Sequence, residues 1–335
     1  MSRVADGEPT IRSVAERAGV SKSLVSLVLR GSPKVSDERR RAVLDAVEEL
    51  GYRPNAAARS LSERRTHTVG VVLGDLRNPW YAECLDGLNA VLHPAGLTLL
   101  LGNGRLDPRL PHTFMDMRVD GLVLLGSLTP TPAIAEAAGR IPTVAAGSRD
   151  FDDAGWTHLD VSAQDDRLGA EIATEHLIGL GHRRIGHLGS DSAAVAVLRG
   201  ASYRETMARH GLNPVEVTCD MTEDGGHRAA REILGGAERP TALFCVNDMS
   251  AIGALTAAGE LGLSVPRDLS LVGYDNTYLA ELRHFGLTSI EISSRAVGEH
   301  AARLLSARID DPGRPATVRL AEPELAQRTT TAPPA

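Results

Sequence analysis

Residues 10–61 read TIRSVAERAGVSKSLVSLVLRGSPKVSDERRRAVLDAVEELGYRPNAAARSL. Thr10 is a hydroxyl cap for a short helix over residues 11–18, and Ser21 caps a second over residues 22–29. Ala18-Gly19-Val20 supplies the tight turn between them, and Gly31-Ser32-Pro33 ends the second helix. Ser36 opens a third helix over residues 37–50. Acidic residues fill its first turn, and Gly51 stops it. Val14, Ala18, Leu24, Val25, Val28, Leu44, Val47 and Leu50 are expected to form one small core. Lys22, Ser23, Ser26, Leu27 and Arg30 then lie largely on the opposite side of the second helix. This is the pattern of a helix-turn-helix, whose second helix presents its first residues to base edges in a DNA major groove.

Outward from this stretch the texture changes after Arg64-Arg65. Residues 68–73 form a short, nearly all-apolar run, as in a strand buried on both faces. Similar runs recur at 97–101, 121–125, 142–146, 184–188, 242–246 and 269–273, with helical stretches between them. Such alternation predicts parallel α/β sheets, and there are enough strands for two lobes. The fold class expected is an all-α headpiece, residues 1–54, a hinge helix and linker, 55–66, and a two-lobed α/β core, 67–330. One lobe takes residues 67–160 and 293–320, the other 161–292 and 321–330. Residues 329–335, TTTAPPA, read as a frayed tail.

Bulk properties agree with two or three domains. The chain has 335 residues, 42% hydrophobic but only 3% aromatic, so its cores must be aliphatic. Net charge is −7, unevenly spread: residues 1–65 carry 13 Lys+Arg against 9 Asp+Glu, the remainder 23 against 34. Phosphate attraction is thereby confined to one end. Three scattered cysteines, Cys84, Cys219 and Cys245, form no disulfide framework or metal spacing and fit a reducing cytoplasm. The opening residues MSRVADGEPT contain no apolar signal segment, and no apolar run approaches the ~18 residues that span a membrane.

The order of motifs resembles the LacI/GalR family of bacterial transcription regulators over residues 10–330. The resemblance rests on T-I-x-x-V-A-x-x-A-G-V-S at 10–21, E-L-G-Y-x-P-N at 49–55 and A-R-S-L at 58–61. It continues through N-P-x-Y-A-E at 78–83, V-D-G-L at 119–122 and H-L-I-x-L-G-H-R-R-I at 176–185. N-D-x-x-A-x-G at 247–253 and V-G-Y-D at 272–275 complete the series. The resemblance implies a homodimer whose headpiece and hinge helix bind a near-palindromic double-stranded operator. It also implies a core, like that of periplasmic sugar-binding proteins, that binds a small effector. It places Lys22 and Ser23 at the main base-reading positions. Lys22 can donate to guanine O6/N7, and Ser23 can donate or accept. Ser21 can instead present its helix end to a phosphate, and Ser26 shares the same face. Leu27 and Arg30 depart from the family's usual residues: Leu27 can touch only a thymine methyl, and Arg30 a phosphate or a guanine. In the hinge, Asn55 is the cap and Arg59 a phosphate contact. Leu61 stands where the family places an apolar wedge at the central minor-groove step.

In the core the resemblance implies an effector held between lobes at the carboxyl ends of strands. Asp75 follows the first strand, and Trp80 and Tyr81 offer an aromatic face to a sugar ring or a base. Arg199, Asn247 and Asp275 match the family's polar ligand contacts, and Arg is a fixed multi-donor fork for hydroxyls or a carboxylate. Met221 stands where an aromatic is usual, and Gly147 where Asp or Arg is frequent. Asp248 and Asp275 can alternatively serve only as helix caps.

No catalytic set is apparent. His182 and His187 lack one-face spacing and ligand partners, so they read as structural; no metal or cofactor is expected. The expected function is a cytoplasmic, ligand-responsive transcription regulator that is not an enzyme, most simply a repressor answering to a sugar. A co-repressor-dependent regulator sensing a nucleobase or other metabolite is the nearer alternative. A sugar-binding transport protein would explain residues 67–330 but not the first 65, and an enzyme would need a reactive pair in the cleft.

Overall fold

In the computed structural model, residues 9–29, 31–53, 65–149, 156, 158–236 and 238–335 are described. The chain divides into two compact units, residues 1–66 and 67–335.

In the first unit, helices Ile11–Arg17 (α1), Lys22–Leu29 (α2) and Asp37–Leu50 (α3) form the bundle expected. Thr10 closes a reciprocal capping box with Ser13, Ser21 Oγ accepts the Leu24 amide at 3.2 Å, and Gly19 takes φ +64° in the turn. Val14, Ala15, Val25, Val28, Val35, Val43 and Ala46 are the buried core. Leu44 is a correction: it is 47% exposed. The inward stripe of α3 runs Val43, Ala46, Val47, Leu50, a 3.6-residue repeat that turns its neighbour Leu44 about 100° away. Arg17 on α1 pairs with Glu49 on α3 at 2.6 Å, an exposed contact of small energetic weight.

The second unit holds two six-stranded sheets. The first comprises Thr68–Leu73 (β1), Thr98–Asn103 (β2), Gly121–Leu125 (β3), Thr143–Ala146 (β4), Asp160–Gln164 (β5) and Val318–Ala321 (β11), in the order β11-β5-β4-β3-β1-β2. The second comprises Ile185–Gly189 (β6), Val215–Thr218 (β7), Ala242–Cys245 (β8), Ser270–Asp275 (β9), Thr288–Glu291 (β10) and Glu324–Ala326 (β12), in the order β12-β10-β9-β8-β6-β7. Pairing is parallel except between β12 and β10. All seven apolar runs became strands, to within one or two residues at each end. The lobe boundary needs a small correction: β5 lies wholly in the first sheet, so the chain crosses after Gln164 rather than at residue 161. It crosses again between Glu291 and Ser294, and between Ala321 and Glu324.

Helices cover the sheets as the crossovers require. Pro79–Leu92 (α4) and Ser294–Asp310 (α12) pack on the first sheet, with Leu110–Asp116 (α5) and Pro132–Ala138 (α6) on its other face. Asp166–Gly179 (α7), Ala194–Arg209 (α8), Glu223–Leu234 (α9), Asp248–Glu260 (α10) and the short Tyr278–Glu281 (α11) serve the second. In each lobe a glycine pair lets two helices touch backbone to backbone. A Cβ on Gly87 would lie 2.0 Å from Arg295 O, and one on Gly298 2.1 Å from Cys84 O. Gly226 and Gly253 play the same parts for α9 and α10, at 2.2 Å from Ser250 O and 2.0 Å from Glu223 O.

The terminal residues are not frayed, contrary to the sequence reading. Thr330 is buried and exchanges hydrogen bonds with Leu271 of β9, while Ser270 and His182 donate to Ala332 O at 2.9 Å. A polar TTTA run gives no apolar signal, yet its backbone and hydroxyl groups pair Ser270 and Leu271, the start of β9 that β10 does not reach.

Candidate functional site

Two surfaces concern function, one on each unit. On the headpiece, Ser21, Lys22 and Ser23 are exposed at the start of α2, whereas Ser26 and Leu27 are half-buried and Leu27 leans on the core. Leu27 is thus shared between core and surface, which reduces what it can offer a base. Arg30, Asn55, Arg59 and Leu61 lie outside the described residues.

In the larger unit, residues that follow β1, β5 and β8 meet the end of β9 in the cleft region between the sheets: Asn78, Asp166, Val246 and Asp275. Arg199, on α8, is 2% exposed and joins three of them. Its Nε donates to Asp166 Oδ1 at 2.8 Å, one terminal nitrogen to Val246 O at 2.6 Å, and the other lies 3.4 Å from Asp275 Oδ1. Its guanidinium stacks on the Tyr274 ring, 3.6 Å from the centroid. Burial works against its charge, but Asp166 and Asp275 outweigh that and hold its pKa above the ordinary value. Burial pushes Asp275 up to about 6 and raises Asp166 too, with Arg199 opposing both. Asp275 ends β9 at φ +95° and Asn276 follows at φ +45°, a strained turn for residues with side chains. Asp248 holds that turn: its carboxylate accepts Thr277 N at 2.7 Å, Thr277 Oγ1 at 3.0 Å and Ser289 Oγ at 2.6 Å.

The first lobe contributes from α4. Asn78 caps it through Trp80 N and reaches Asp275 Oδ2 at 3.5 Å. Trp80 and Tyr81 stand edge to face, 4.9 Å between centroids. Burial, then the nearby Asp75 and Asp275, push the Tyr81 hydroxyl up to about 12. The Trp80 ring lies on Gly147, where a Cβ would come within 2.1 Å of it. The glycine that removes a polar group from this wall therefore makes room for the indole, at φ +81°.

The structure thus brings Arg199, Asp275, Trp80 and Tyr81 to one cleft. The other expected residues are differently engaged. The Asp75 carboxylate is taken up by Arg77, whose hydrogen bonds hold it below its ordinary pKa. Asn247 is fully buried: its Oδ1 caps α10 through Ser250, and its Nδ2 donates to Met221 O at 3.1 Å. The Met221 side chain leans on the second lobe's core. Asp166, Gln164 and Tyr274 escaped the sequence reading. Asp166 closely follows a strand, as Asp75 does, but β5 (DVSAQ) is too polar to read as a strand.

His182 and His187 are structural. His182 bridges Thr241 and Ala332, and His187 stacks on Phe244 at 4.7 Å between centroids. Burial lowers His187 to about 4. Among the described residues no group of three His, Cys, Asp or Glu is placed to hold a metal ion. No described helix is long and apolar enough to cross a membrane. A cavity of about 420 Å³ lies beside the lobe crossovers, lined by Glu83, Glu281, Glu291 and Glu299 among others. Each of these carboxylates is bonded within the protein, to Tyr278 N, Arg328, Asn276 and Arg303 respectively. The chemistry gathers instead around Arg199.

Residues 10–55 match the model for bacterial regulatory proteins of the lacI family, and residues 174–331 match that for the periplasmic binding protein-like domain. The ribose operon repressor of Escherichia coli (strain K12) is 37% identical over 90% of this chain and 94% of its own. The chain belongs to the lacI family of bacterial regulatory proteins. Among solved structures, the lac repressor dimer bound to operator and an anti-inducer superposes with a TM-score of 0.86 at 27% identity, covering 97% of this chain and 100% of that one. A complex of the transcriptional regulator CelR with cellobiose gives 0.72 at 32% identity, over 96% and 99%. This lacI-family member is a DNA-binding transcription regulator: a helix-turn-helix joined to a two-lobed α/β core, as its motif order implied.

Proposed function

We propose that the chain is a homodimeric cytoplasmic repressor that binds a near-palindromic operator and changes its affinity when a carbohydrate enters the cleft. The observation that carries this reading is Arg199, held between Asp166 and Asp275 and floored by Tyr274, in the same chain as an exposed recognition-helix start. Such a fork suits hydroxyl-bearing ligands, and the Trp80–Tyr81 wall suits a sugar ring. The cellobiose held by the structural relative CelR supports the class. Closure of the lobes on ligand shifts the population between DNA-competent and incompetent dimers, a coupling typically worth ~1–3 kcal/mol. Lys22 and Ser23 read bases, with Ser21, Ser26 and Arg30 supporting them. Asn55, Arg59 and Leu61 form the hinge contact. The test is selection of bound DNA from a random duplex pool, followed by a sugar panel against the selected site. An enriched palindrome whose affinity changes with one sugar is the expected result. An absence of enrichment sinks the reading.

A further inference from the structure

Two segments from different lobes meet beside the crossing at residues 291–294. α4 belongs to the first lobe: Gly87 and Gly298 set it backbone to backbone against α12, and Cys84 Sγ donates to Ser294 O at 3.1 Å. The segment Asp275–Tyr278 belongs to the second. Asp248 holds it there through Thr277 N and Oγ1, and Ser289 Oγ accepts Asn276 N at 3.1 Å. α4 nevertheless reaches this segment twice. Asn78 Nδ2 lies 3.5 Å from Asp275 Oδ2, and Glu83 Oε1 accepts the Tyr278 amide at 3.0 Å.

The second bond has a local cause. α11 is four residues long, and its N-cap Thr277 gives it no side-chain hydrogen bond, because that hydroxyl is spent on Asp248. The Tyr278 N–H is therefore an orphan donor of a helix start. Glu83 supplies from the other lobe the cap that the local sequence lacks. It does so against burial, which raises the Glu83 pKa while the Tyr278 amide opposes the rise. The same segment carries Asp275, which pairs with Arg199 at the cleft. A lobe movement that stretches the 3.0 Å bond to about 3.6 Å ends it.

We propose that Glu83 is a latch between the lobes: by capping α11 across the lobe boundary it biases the ligand-free core toward the lobe arrangement seen here. Glu83 is thus a positioning residue for the switch. The proposal deepens the regulatory reading above, in which lobe arrangement sets operator affinity, but its test needs neither effector nor DNA. The three native cysteines are buried, so Met117→Cys on the first lobe and Glu232→Cys on the second, both exposed, take spin labels selectively. Pulsed electron resonance on the full chain, diluted in unlabelled chain, reads the distance between them. Glu83→Ala should displace the wild-type distance or add a second one, changing the ratio of lobe arrangements about tenfold, the weight of one hydrogen bond to a charged group. Tyr278→Pro removes the donor instead. Thr277, at φ −63° and ψ 161°, already has the extended geometry that precedes proline, and proline suits the first position of a helix. It should reproduce the Glu83→Ala change, and the double variant should add nothing further. Glu83→Gln keeps an oxygen for the same bond and should return the wild-type distance. Should Glu83→Ala fail to fold, Tyr278→Pro decides alone. An unchanged distance overturns the latch; so do additive changes, or a Glu83→Gln that behaves like Glu83→Ala. Any of these leaves the operator and carbohydrate reading standing, and an absence of operator enrichment sinks that reading without touching the latch.

Discussion

At the scale of single residues, the cleft is a set of buried charges whose energies depend on one another. Asp248 shows the consequence most simply. It receives three hydrogen bonds that hold the strained Asp275–Thr277 turn, and burial, then Asp275, push its carboxyl up to about 7. A carboxyl whose folded pKa exceeds its unfolded value contributes stability that is complete below about pH 4 and is lost as pH rises through about 7. Asp275, raised to about 6, acts in the same sense. His187, lowered to about 4 by burial, acts oppositely as pH falls through the unfolded value of about 6.5, and His176, His182 and His300, also lowered by burial, act with it. The contribution of Asp248 is therefore read as a difference: between pH 8 and 6.5 acidification should raise the unfolding free energy of the wild type by on the order of 1 kcal/mol more than that of Asp248→Asn. Urea titrations of both proteins at the two pH values check this. Equal pH dependence in the two would remove Asp248 as a source. The role was only half legible beforehand: Asp248 read as a possible helix cap, because its partners Thr277 and Ser289 lie 29 and 41 residues away.

At the scale of elements, legibility followed apolar content. β1, β3 and β8 are buried runs of Val, Leu, Ala and Phe that announce themselves. β5 is equally buried but reads DVSAQ, because its polar groups are matched by partners far along the chain. Asp160 takes Arg308 at 3.0 Å and Arg314 at 2.8 Å, and Ser162 donates to Val297 O at 2.9 Å. β7, with alternating VEVT at a sheet edge, and the three-residue β12 were too short to declare themselves. The glycine pairs were invisible for another reason: composition does not reveal which helices meet. Gly298→Ala or Gly253→Ala would drive a Cβ against backbone oxygen, which cannot rotate aside. Each should cost at least ~1–3 kcal/mol in chemical denaturation, whereas Gly179→Ala, open around its Cα, should be neutral or mildly stabilising. On the headpiece, Lys22→Ala should alter the sequences recovered in operator selection while leaving effector affinity unchanged. Leu61→Ala should weaken specific binding more than non-specific binding; equal losses on both would argue against an inserted wedge.

At the scale of the whole molecule, the two units should answer ligand differently. An effector that binds only the folded core stabilises it by about 2.7 kcal/mol at a hundredfold excess over Kd. Without DNA, scanning calorimetry of the full chain with saturating effector should raise the transition of residues 67–335 and leave that of the headpiece where it was. A shift of both together would show that the units unfold as one. The three crossings between lobes carry a further consequence, for the order in which the protein is made. Headpiece residues 10–52 close their core from a continuous segment as soon as they leave the ribosome. The first lobe cannot. Its sheet lacks the edge strand β11 until residue 321 has emerged, and α12, which lies against α4 through Gly87 and Gly298, is absent until residue 310. Throughout synthesis of the entire second lobe, the growing chain therefore carries an apolar sheet with part of one face bare, during which it depends on chaperones or on speed to stay soluble.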